Sequence, residues 1–303
     1  MFKRGDPMAI THRKYNSSED YEKISRFLVD CNSYYGTRFD DNLTLFEFQA
    51  ALASGLESPP KSVDDMLQRV ILWFDGDQLV GLLEEGAFCF DPEYRFLFKE
   101  AIRIRKDINP DHEWEVYEGD EDFEAALEQS GYQKTGEYWV RRDLNLKDDI
   151  VEANLPHGFF CKSVPDSKEH GEVYQAYKLC YGIPFNEVIL KNFYETSTYR
   201  KELDLVAVDG NNHVAALCSG RYDEESKLLT IEAVSCYPDF RNRGISKALL
   251  REQLMAAKEL GANRATVYTG MPEKFPAPNQ LYESAGFDMV GKRFVWKQQT
   301  SKL

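Results

Sequence analysis

The sequence lacks several features that define large classes of proteins. It has no excess of positive charge, because 37 Lys and Arg stand against 51 Asp and Glu, for a formal net charge of −14. Nucleic-acid-binding proteins neutralise phosphates with Lys and Arg, so this balance argues against a nucleic-acid partner. The chain also has no apolar run of about 18 residues and no apolar core of signal-peptide length near its start. We therefore expect no membrane partner and a cytoplasmic location.

Metal-ligand and disulfide patterns are also missing. The six cysteines are scattered, form no C-x-x-C pair and have no histidine at ligand spacing. We therefore predict no metal site, and cysteines that are reduced and mostly buried. Hydrophobic residues make up 43% of the 303 residues, which is enough apolar material for a folded core. The length suits two ordinary domains or one large one.

An internal repeat favours two domains. Three pairs of similar segments occur in the same order: YYGTRF (34–39) with CYGIPF (180–185), FDGDQLVG (74–81) with VDGNNHVA (208–215), and LEQSGYQKTGEYWV (127–140) with YESAGFDMVGKRFV (282–295). The first pair follows helical patterns, and the second is an Asp-Gly turn between strand-like runs. The third carries two glycines at the same spacing. We therefore predict two copies of one mixed α/β (α+β) unit.

The two copies span about 10–145 and 157–300. Residues 145–156 between them are polar, end in Pro and suit a linker. We accordingly place one domain at 1–148 and the other at 149–303.

The copies differ at a turn that only the second contains. There a strand pattern leads through YPDFRNRGISKALL (237–250) into a helical pattern. A helix N-terminus presents unpaired N–H groups and the positive end of the helix dipole. Gly244 would let the backbone approach a phosphate, Ser246 adds a small donor, and Arg241 and Arg243 supply charge. The turn therefore predicts an anion site, whereas residues 88–107 of the first copy contain no glycine.

This turn and a later segment together resemble a known family. Arg-x-x-Gly-x-Ser at 241–246 resembles the acetyl-CoA pyrophosphate loop of the GNAT N-acetyltransferase superfamily, [QR]-x-x-G-x-[GA], with Ser246 as a departure. NQLYESAGF (279–287) resembles the second motif of that superfamily, a helix with "LYE" that ends in Gly-Phe. The resemblance covers about 157–300, and the first copy joins it through the repeat. It implies two tandem GNAT-like domains and acetyl-CoA as cosubstrate.

The resemblance also implies which residues hold acetyl-CoA. They lie at the strand end and in the loop: Ser235, Cys236, Tyr237, Arg241, Asn242, Arg243, Gly244, Ile245 and Ser246. The family often has an Asn seven residues before the motif Tyr, but Phe275 stands there in this sequence. We expect Asn279 to supply that contact instead, unless the contact is absent.

Two residues are candidates for proton transfer. An amine with a lysine-like pKa of ~10.4 is protonated at pH 7 and needs a base before it can attack a thioester. Glu232 is the candidate base, although a strand carboxylate can also face solvent or pair with Arg. The resemblance makes Tyr282 the general acid for the departing thiolate, whereas a helical Tyr out of context packs in a core. Cys236 could take the acetyl group itself, but a small apolar residue is what this strand position favours.

We expect an N-acetyltransferase that transfers acetyl from acetyl-CoA to a small-molecule or protein amine by direct attack in a ternary complex. In the first copy Leu127 replaces Tyr282 and the Arg/Gly turn is missing, so we expect no CoA binding or catalysis there. One alternative is a non-enzymatic acyl-CoA sensor. Another is a tandem-GNAT aminoacyl transferase, against which the acidic balance and the intact CoA loop argue.

The segment EWEVYEGDEDFEAALEQ (113–129) concentrates eight carboxylates without a basic residue. Such a run is usually a solvated face, although an acidic surface can also attract cationic amines. Neither the oligomeric state nor the acceptor follows from the sequence.

Overall fold

The chain folds into two compact units. The computed structural model describes residues 10–38, 42–55, 62–84, 88–150, 154–167 and 170–299. Unit 1 comprises Met1–Asn42, Asp64–Val140 and Gly291–Leu303, and unit 2 comprises Leu43–Val63 and Arg141–Val290. Each unit therefore contains residues from both copies of the repeat.

The elements follow one another in the order that the repeat predicts. The first half contains β1 (Ile10–Lys14), α1 (Ser18–Tyr35), α2 (Leu43–Gly55), α3 (Val63–Met66), β2 (Ile71–Asp75), β3 (Gln78–Leu83), β4 (Phe88–Phe90), α4 (Phe98–Ile108), β5 (Trp114–Tyr117), α5 (Glu121–Gln129) and β6 (Tyr132–Asn145). The second half contains β7 (Phe159–Ser163), α6 (His170–Tyr181), α7 (Glu187–Glu195), β8 (Asp204–Asp209), β9 (Val214–Asp223), β10 (Leu228–Cys236), α8 (Ile245–Glu259), β11 (Arg264–Gly270), α9 (Pro276–Ala285) and β12 (Asp288–Gln298). No helix in the described ranges is long and apolar enough to cross a membrane.

All three repeated pairs occupy equivalent places. The Tyr-Gly of the first pair ends a helix in each copy, with Gly36 after α1 and Gly182 after α6 both at positive φ. The Asp-Gly turns join β2 to β3 and β8 to β9, and the third pair joins α5 to β6 and α9 to β12. The predicted mixed α/β repeat is thus confirmed. Phe39 of the first pair and residues 151–153 of the predicted linker lie outside the described residues, and the boundary at 148/149 stays a prediction.

Unit 1 contains two groups of strands. Strands β1 to β4 form an antiparallel sheet in sequence order, and the unit 1 parts of β5, β12 and β6 form another in that order. An aromatic core that includes Trp73, Phe90, Phe98, Trp114 and Phe123 packs within this unit.

Unit 2 has one sheet with helices on both faces. Its strand order is β6-β11-β10-β9-β8-β7, and β10 and β11 run parallel. Cys218 of β9 points to α8, where its thiol contacts Gln253. Arg221, three residues later and thus on the opposite face, lies over the rings of Phe48 on α2 and Phe193 on α7. Helix α2 of the first copy therefore covers the same face of this sheet as α7.

The acidic run 113–129 is largely paired within unit 1. Glu115 bonds to Arg293 at 2.6 Å and Glu113 to Lys297 at 2.8 Å, both on β12. Asp120 contacts Arg95. The run therefore contributes ion pairs to its own unit in addition to exposed carboxylates.

Candidate active site

A cleft opens in unit 2 where β10 parts from β11. The two strands pair only up to Ile231 and Val267, whereas β10 continues against β9 to Cys236. The register with β9 shifts between Ile231 and Ala233, which makes Glu232 a bulge residue. Beyond this bulge, one edge of β10 has no neighbouring strand in the described part of the chain. We call the space beside this edge the cleft.

Backbone N–H groups of β10 point into this cleft. The N–H of Tyr237 donates to the carbonyl oxygen of Ala215 on β9 at 3.0 Å. Because N–H direction alternates along an antiparallel strand, the N–H of Ser235 points the same way. Those of Val234 and Cys236 then point to the opposite edge, where β11 has departed. The Val234 N–H is engaged by the Cys180 thiol, so the Cys236 N–H is the donor that a ligand in the cleft would meet.

The predicted anion loop lies at the end of this same strand. Pro238–Phe240 form a 3₁₀ turn, and Gly244 directly precedes α8 with φ 79° and ψ 1°, a left-handed conformation that suits glycine. No side chain caps the helix, and its first helical bond joins the Ala248 N–H to the Gly244 oxygen. A Cβ built on Gly244 would meet no atom within 4 Å. The open space beside these N–H groups fits the approach of a phosphate.

Two arginines brace the loop through its own carbonyls. Arg241 Nε donates to the Cys236 oxygen at 3.1 Å, and Arg243 Nη2 donates to the Asp239 oxygen at 2.8 Å. Both side chains are exposed, so their remaining guanidinium N–H groups can reach a phosphate. Asn242 between them has φ 60°, a conformation that Asn tolerates better than most residues.

The remaining loop residues lie beside the strand end. Ile245 is buried in the core under α8. Burial raises the pKa of the Cys236 thiol, although the Ser246 hydroxyl and both loop arginines partly oppose this shift. A thiol held in its neutral form is a poor nucleophile, which disfavours Cys236 as the acetyl acceptor.

The candidate acid, Tyr282, is buried. Tyr282 of α9 is 5% exposed, and its ring packs edge-on against Phe287 at 5.6 Å. Burial raises the phenol pKa well above its ordinary value, and negative charge at Cys218, Cys180 or Glu232 would raise it further. Tyr282 therefore carries its proton at neutral pH.

Asn279 has a network of bonds within the protein. Its Nδ2 donates to the oxygens of Gly270 at 3.0 Å and Phe275 at 2.8 Å, and its Oδ1 accepts from Thr269 at 2.9 Å and from Arg142 at 3.2 Å. These bonds tie the end of β11 to the start of α9, so the observed contacts of Asn279 are structural.

Tyr181 and Cys180 also contact this part of β10, and neither was predicted as a site residue. The Tyr181 hydroxyl donates to the Glu232 carbonyl oxygen. Burial raises the pKa of Cys180 to about 11, partly offset by hydrogen bonds from Ser235 and the Val234 backbone. The only sequence signal for Tyr181 was its place in the repeated Tyr-Gly pair.

The comparisons with known proteins concern the family and the fold of this part of the chain. The model of the Acetyltransferase (GNAT) family matches residues 171–287, which include the cleft, the loop and Tyr282. This part of the chain is a GNAT domain. The general reaction of the family is acetyl transfer from acetyl-CoA to an amine. No curated protein sequence matches the chain.

Solved GNAT structures resemble the chain over nearly its whole length. A GCN5-related N-acetyltransferase from Sphaerobacter thermophilus is 17% identical with a TM-score of 0.59, covering 95% of each chain. A tandem GNAT protein of the clavulanic acid biosynthesis pathway is 13% identical with a TM-score of 0.58, covering 97% of this chain and 100% of its own. A glucosamine N-acetyltransferase region of a fungal β-N-acetylglucosaminidase is 13% identical with a TM-score of 0.57, covering 96% of this chain and 38% of that protein. These similarities confirm the fold class of two tandem GNAT-like domains.

Proposed function

We propose that unit 2 is an N-acetyltransferase that transfers acetyl from acetyl-CoA to a primary amine by direct attack in a ternary complex. The observation that carries this proposal is the position of the Gly244 loop at the end of the strand whose free edge lines the cleft. A pyrophosphate on the N–H groups of 241–246 would leave the thioester arm to run along β10. Ser235, Cys236 and Tyr237 line that path, and Asn279 supports it by holding the β11–α9 connection.

Each chemical step can be assigned to a residue of the candidate site. Glu232 would take a proton from the acceptor ammonium, and the amine nitrogen then attacks the thioester carbonyl carbon. The N–H of Cys236 would stabilise the negative oxygen of the tetrahedral intermediate. When the C–S bond breaks, Tyr282 would donate its hydroxyl proton to the sulfur that leaves with the electron pair, and the second proton of the attacking nitrogen would pass to the tyrosinate, which leaves the neutral amide.

The first copy, assigned to 1–148, is proposed to be non-catalytic. In unit 1, β4 and β5 belong to different sheets. Phe88 of β4 stacks on Phe123 at 4.5 Å and meets Trp114 of β5 edge-on at 5.0 Å. Aromatic rings thus occupy the space beside β4, whereas in unit 2 the cleft opens beside β10. A further role of the first copy is to supply α2, whose Thr44 hydroxyl hydrogen-bonds that of Thr230 on β10.

Two other functions compete with this proposal. A non-enzymatic acyl-CoA sensor would need the loop but no proton-transfer residues, whereas this chain has Glu232 at the bulge of β10 and Tyr282 on α9 as candidates for proton transfer. An aminoacyl transferase would bind tRNA, which the net charge of −14 disfavours.

Release of CoA thiol from acetyl-CoA, measured with a panel of amines, tests the proposal. The panel should contain glucosamine, because the fungal neighbour is a glucosamine N-acetyltransferase region, together with polyamines and lysine peptides. Glu232→Gln should lower kcat by about 10²-fold or more, whereas Glu225→Gln, in the exposed turn before β10, should not. Acetyl-CoA binding without amine-dependent turnover would support the sensor, and tRNA binding would support the aminoacyl transferase.

A further inference from the structure

The bulge at Glu232 is attached to the end of helix α6. Glu232 is the bulge residue between Ile231 and Ala233 of β10. The Tyr181 hydroxyl donates to its carbonyl oxygen. The neighbouring Cys180 thiol contacts the Val234 backbone. Two consecutive residues of α6 therefore hold the strand segment that carries the candidate base.

The first copy contains the same bond without the same site. Tyr35 ends α1 as Tyr181 ends α6, and each is followed by a glycine at positive φ. The Tyr35 hydroxyl donates to the carbonyl oxygen of Phe90 on β4 at 2.9 Å. Residue 90 ends a strand that is paired with β3 and has no Arg/Gly turn after it. The repeat thus conserves a tyrosine that links the helix end to the fourth strand of its own copy.

We propose that Tyr181 is a positioning residue for acetyl transfer. Its hydroxyl fixes the Glu232 peptide in the bulge, and this fixes both the direction of the Glu232 carboxylate and the N–H of Cys236. The inference rests on the proposed function of unit 2. A bulge disrupts the strand ladder locally, and the Tyr181 bond adds a contact from outside the sheet at that point. A carbonyl that loses this donor loses a hydrogen bond that restrains its peptide plane.

The phenol ring of Tyr181 has separate contacts that a hydroxyl deletion preserves. The ring lies 5.7 Å from that of Phe48 and 6.4 Å from that of Phe185. Tyr181→Phe therefore removes the bond to Glu232 and keeps the packing. Tyr35→Phe removes the equivalent bond in unit 1 and is the matched control.

The test compares both variants with the wild type in the full-length chain. We expect each substitution to lower the melting temperature by a similar small amount, because each removes one hydrogen bond. Tyr181→Phe should also lower kcat by about 10- to 100-fold, since misplacement by ~1 Å can cost 10²-fold in rate. The KM for acetyl-CoA should stay within about twofold, because the anion loop is untouched. Tyr35→Phe should leave kcat unchanged.

The outcomes separate this inference from the proposed function. If the wild type transfers acetyl and Tyr181→Phe has the same kcat as Tyr35→Phe, the positioning role is refuted while the enzyme stands. If Tyr181→Phe does not fold, the positioning role is likewise refuted, because the hydroxyl is then required for folding. Replacing Tyr181 by 4-aminophenylalanine keeps a donor at the same place, so it should restore most of kcat. If the wild type transfers acetyl to no amine, the proposed function itself fails.

Discussion

The acetyl-CoA site can be tested by adding a single methyl group at Gly244. The site requires a phosphate to approach the backbone there, and a Cβ would project into space that is open within 4 Å. Gly244→Ala should therefore push the pyrophosphate away from one or two N–H donors. A charge-assisted hydrogen bond contributes about 1.5–3 kcal/mol. Because 1.4 kcal/mol is tenfold in affinity, we expect the Kd of CoA to rise about 10- to 100-fold.

The same substitution also strains the backbone, because φ is 79°. A left-handed conformation costs a non-glycine residue roughly 1–2 kcal/mol, which would lower stability without any ligand. Gly158→Ala is the control, since Gly158 has φ 89° and an equally open Cβ position before β7. Urea unfolding should give both variants a similar loss of stability, while calorimetry with CoA should separate them. A Kd for Gly244→Ala within threefold of that for Gly158→Ala would refute the assignment of the site.

The other predictions concern the acid, the number of sites and two structural residues. Tyr282→Phe should lower kcat by about 10²-fold with CoA affinity intact, and a drop below tenfold would contradict the role of Tyr282. Tyr222→Phe should leave kcat unchanged, because the buried hydroxyl of Tyr222 has no hydrogen-bond partner among the described residues. Calorimetry should find one CoA site per chain, and two equivalent sites would show that unit 1 also binds. Asn279→Ala should lower the free energy of unfolding by about 2–5 kcal/mol, because the carbonyls it caps lose their donor; an unchanged melting temperature would mean that its contacts carry little stability. The bidentate bond from Arg13 lowers the pKa of Asp20. The stabilisation from this ion pair is therefore present above the unfolded pKa of ~3.9 and is lost as pH falls through the lower pKa of the folded state. The difference in free energy of unfolding between wild type and Asp20→Asn should narrow in acid, and a constant difference would contradict this linkage.

The sequence predicted the elements of unit 2 because their signals are local. A glycine that must adopt positive φ, such as Gly244 or Gly286, is visible as a residue type. The Leu, Thr, Ile and Val content of β10 and the helical spacing of apolar residues in α8 are likewise local signals. The loop and the helix of Tyr282 were found together because the resemblance supplied the order and spacing of two motifs.

Features that depend on pairing between distant segments were not predicted. The bulge at Glu232 comes from the register between β10 and β9, and the cleft comes from the point at which β11 leaves β10. Neither the bulge nor the cleft is indicated by a particular residue type in the sequence. Strict alternation would put Glu232 on the same face as Cys236, but a bulge residue does not follow the period of two. Tyr181 was missed for the same reason, since its role depends on a carbonyl 51 residues away.

The repeat explains why a boundary in the sequence does not coincide with a boundary in space. Strand β6 begins in unit 1 and continues into unit 2 after Val140, and β12 begins in unit 2 and continues into unit 1 after Val290. Each unit thus uses the last strand of both copies. Because a strand that is removed leaves the backbone groups of its neighbours unpaired, neither unit is complete without residues of the other copy. The first copy, which has no Arg/Gly turn, therefore supplies β6 to both units and helix α2 to unit 2, and this gives it a structural role that is independent of CoA binding.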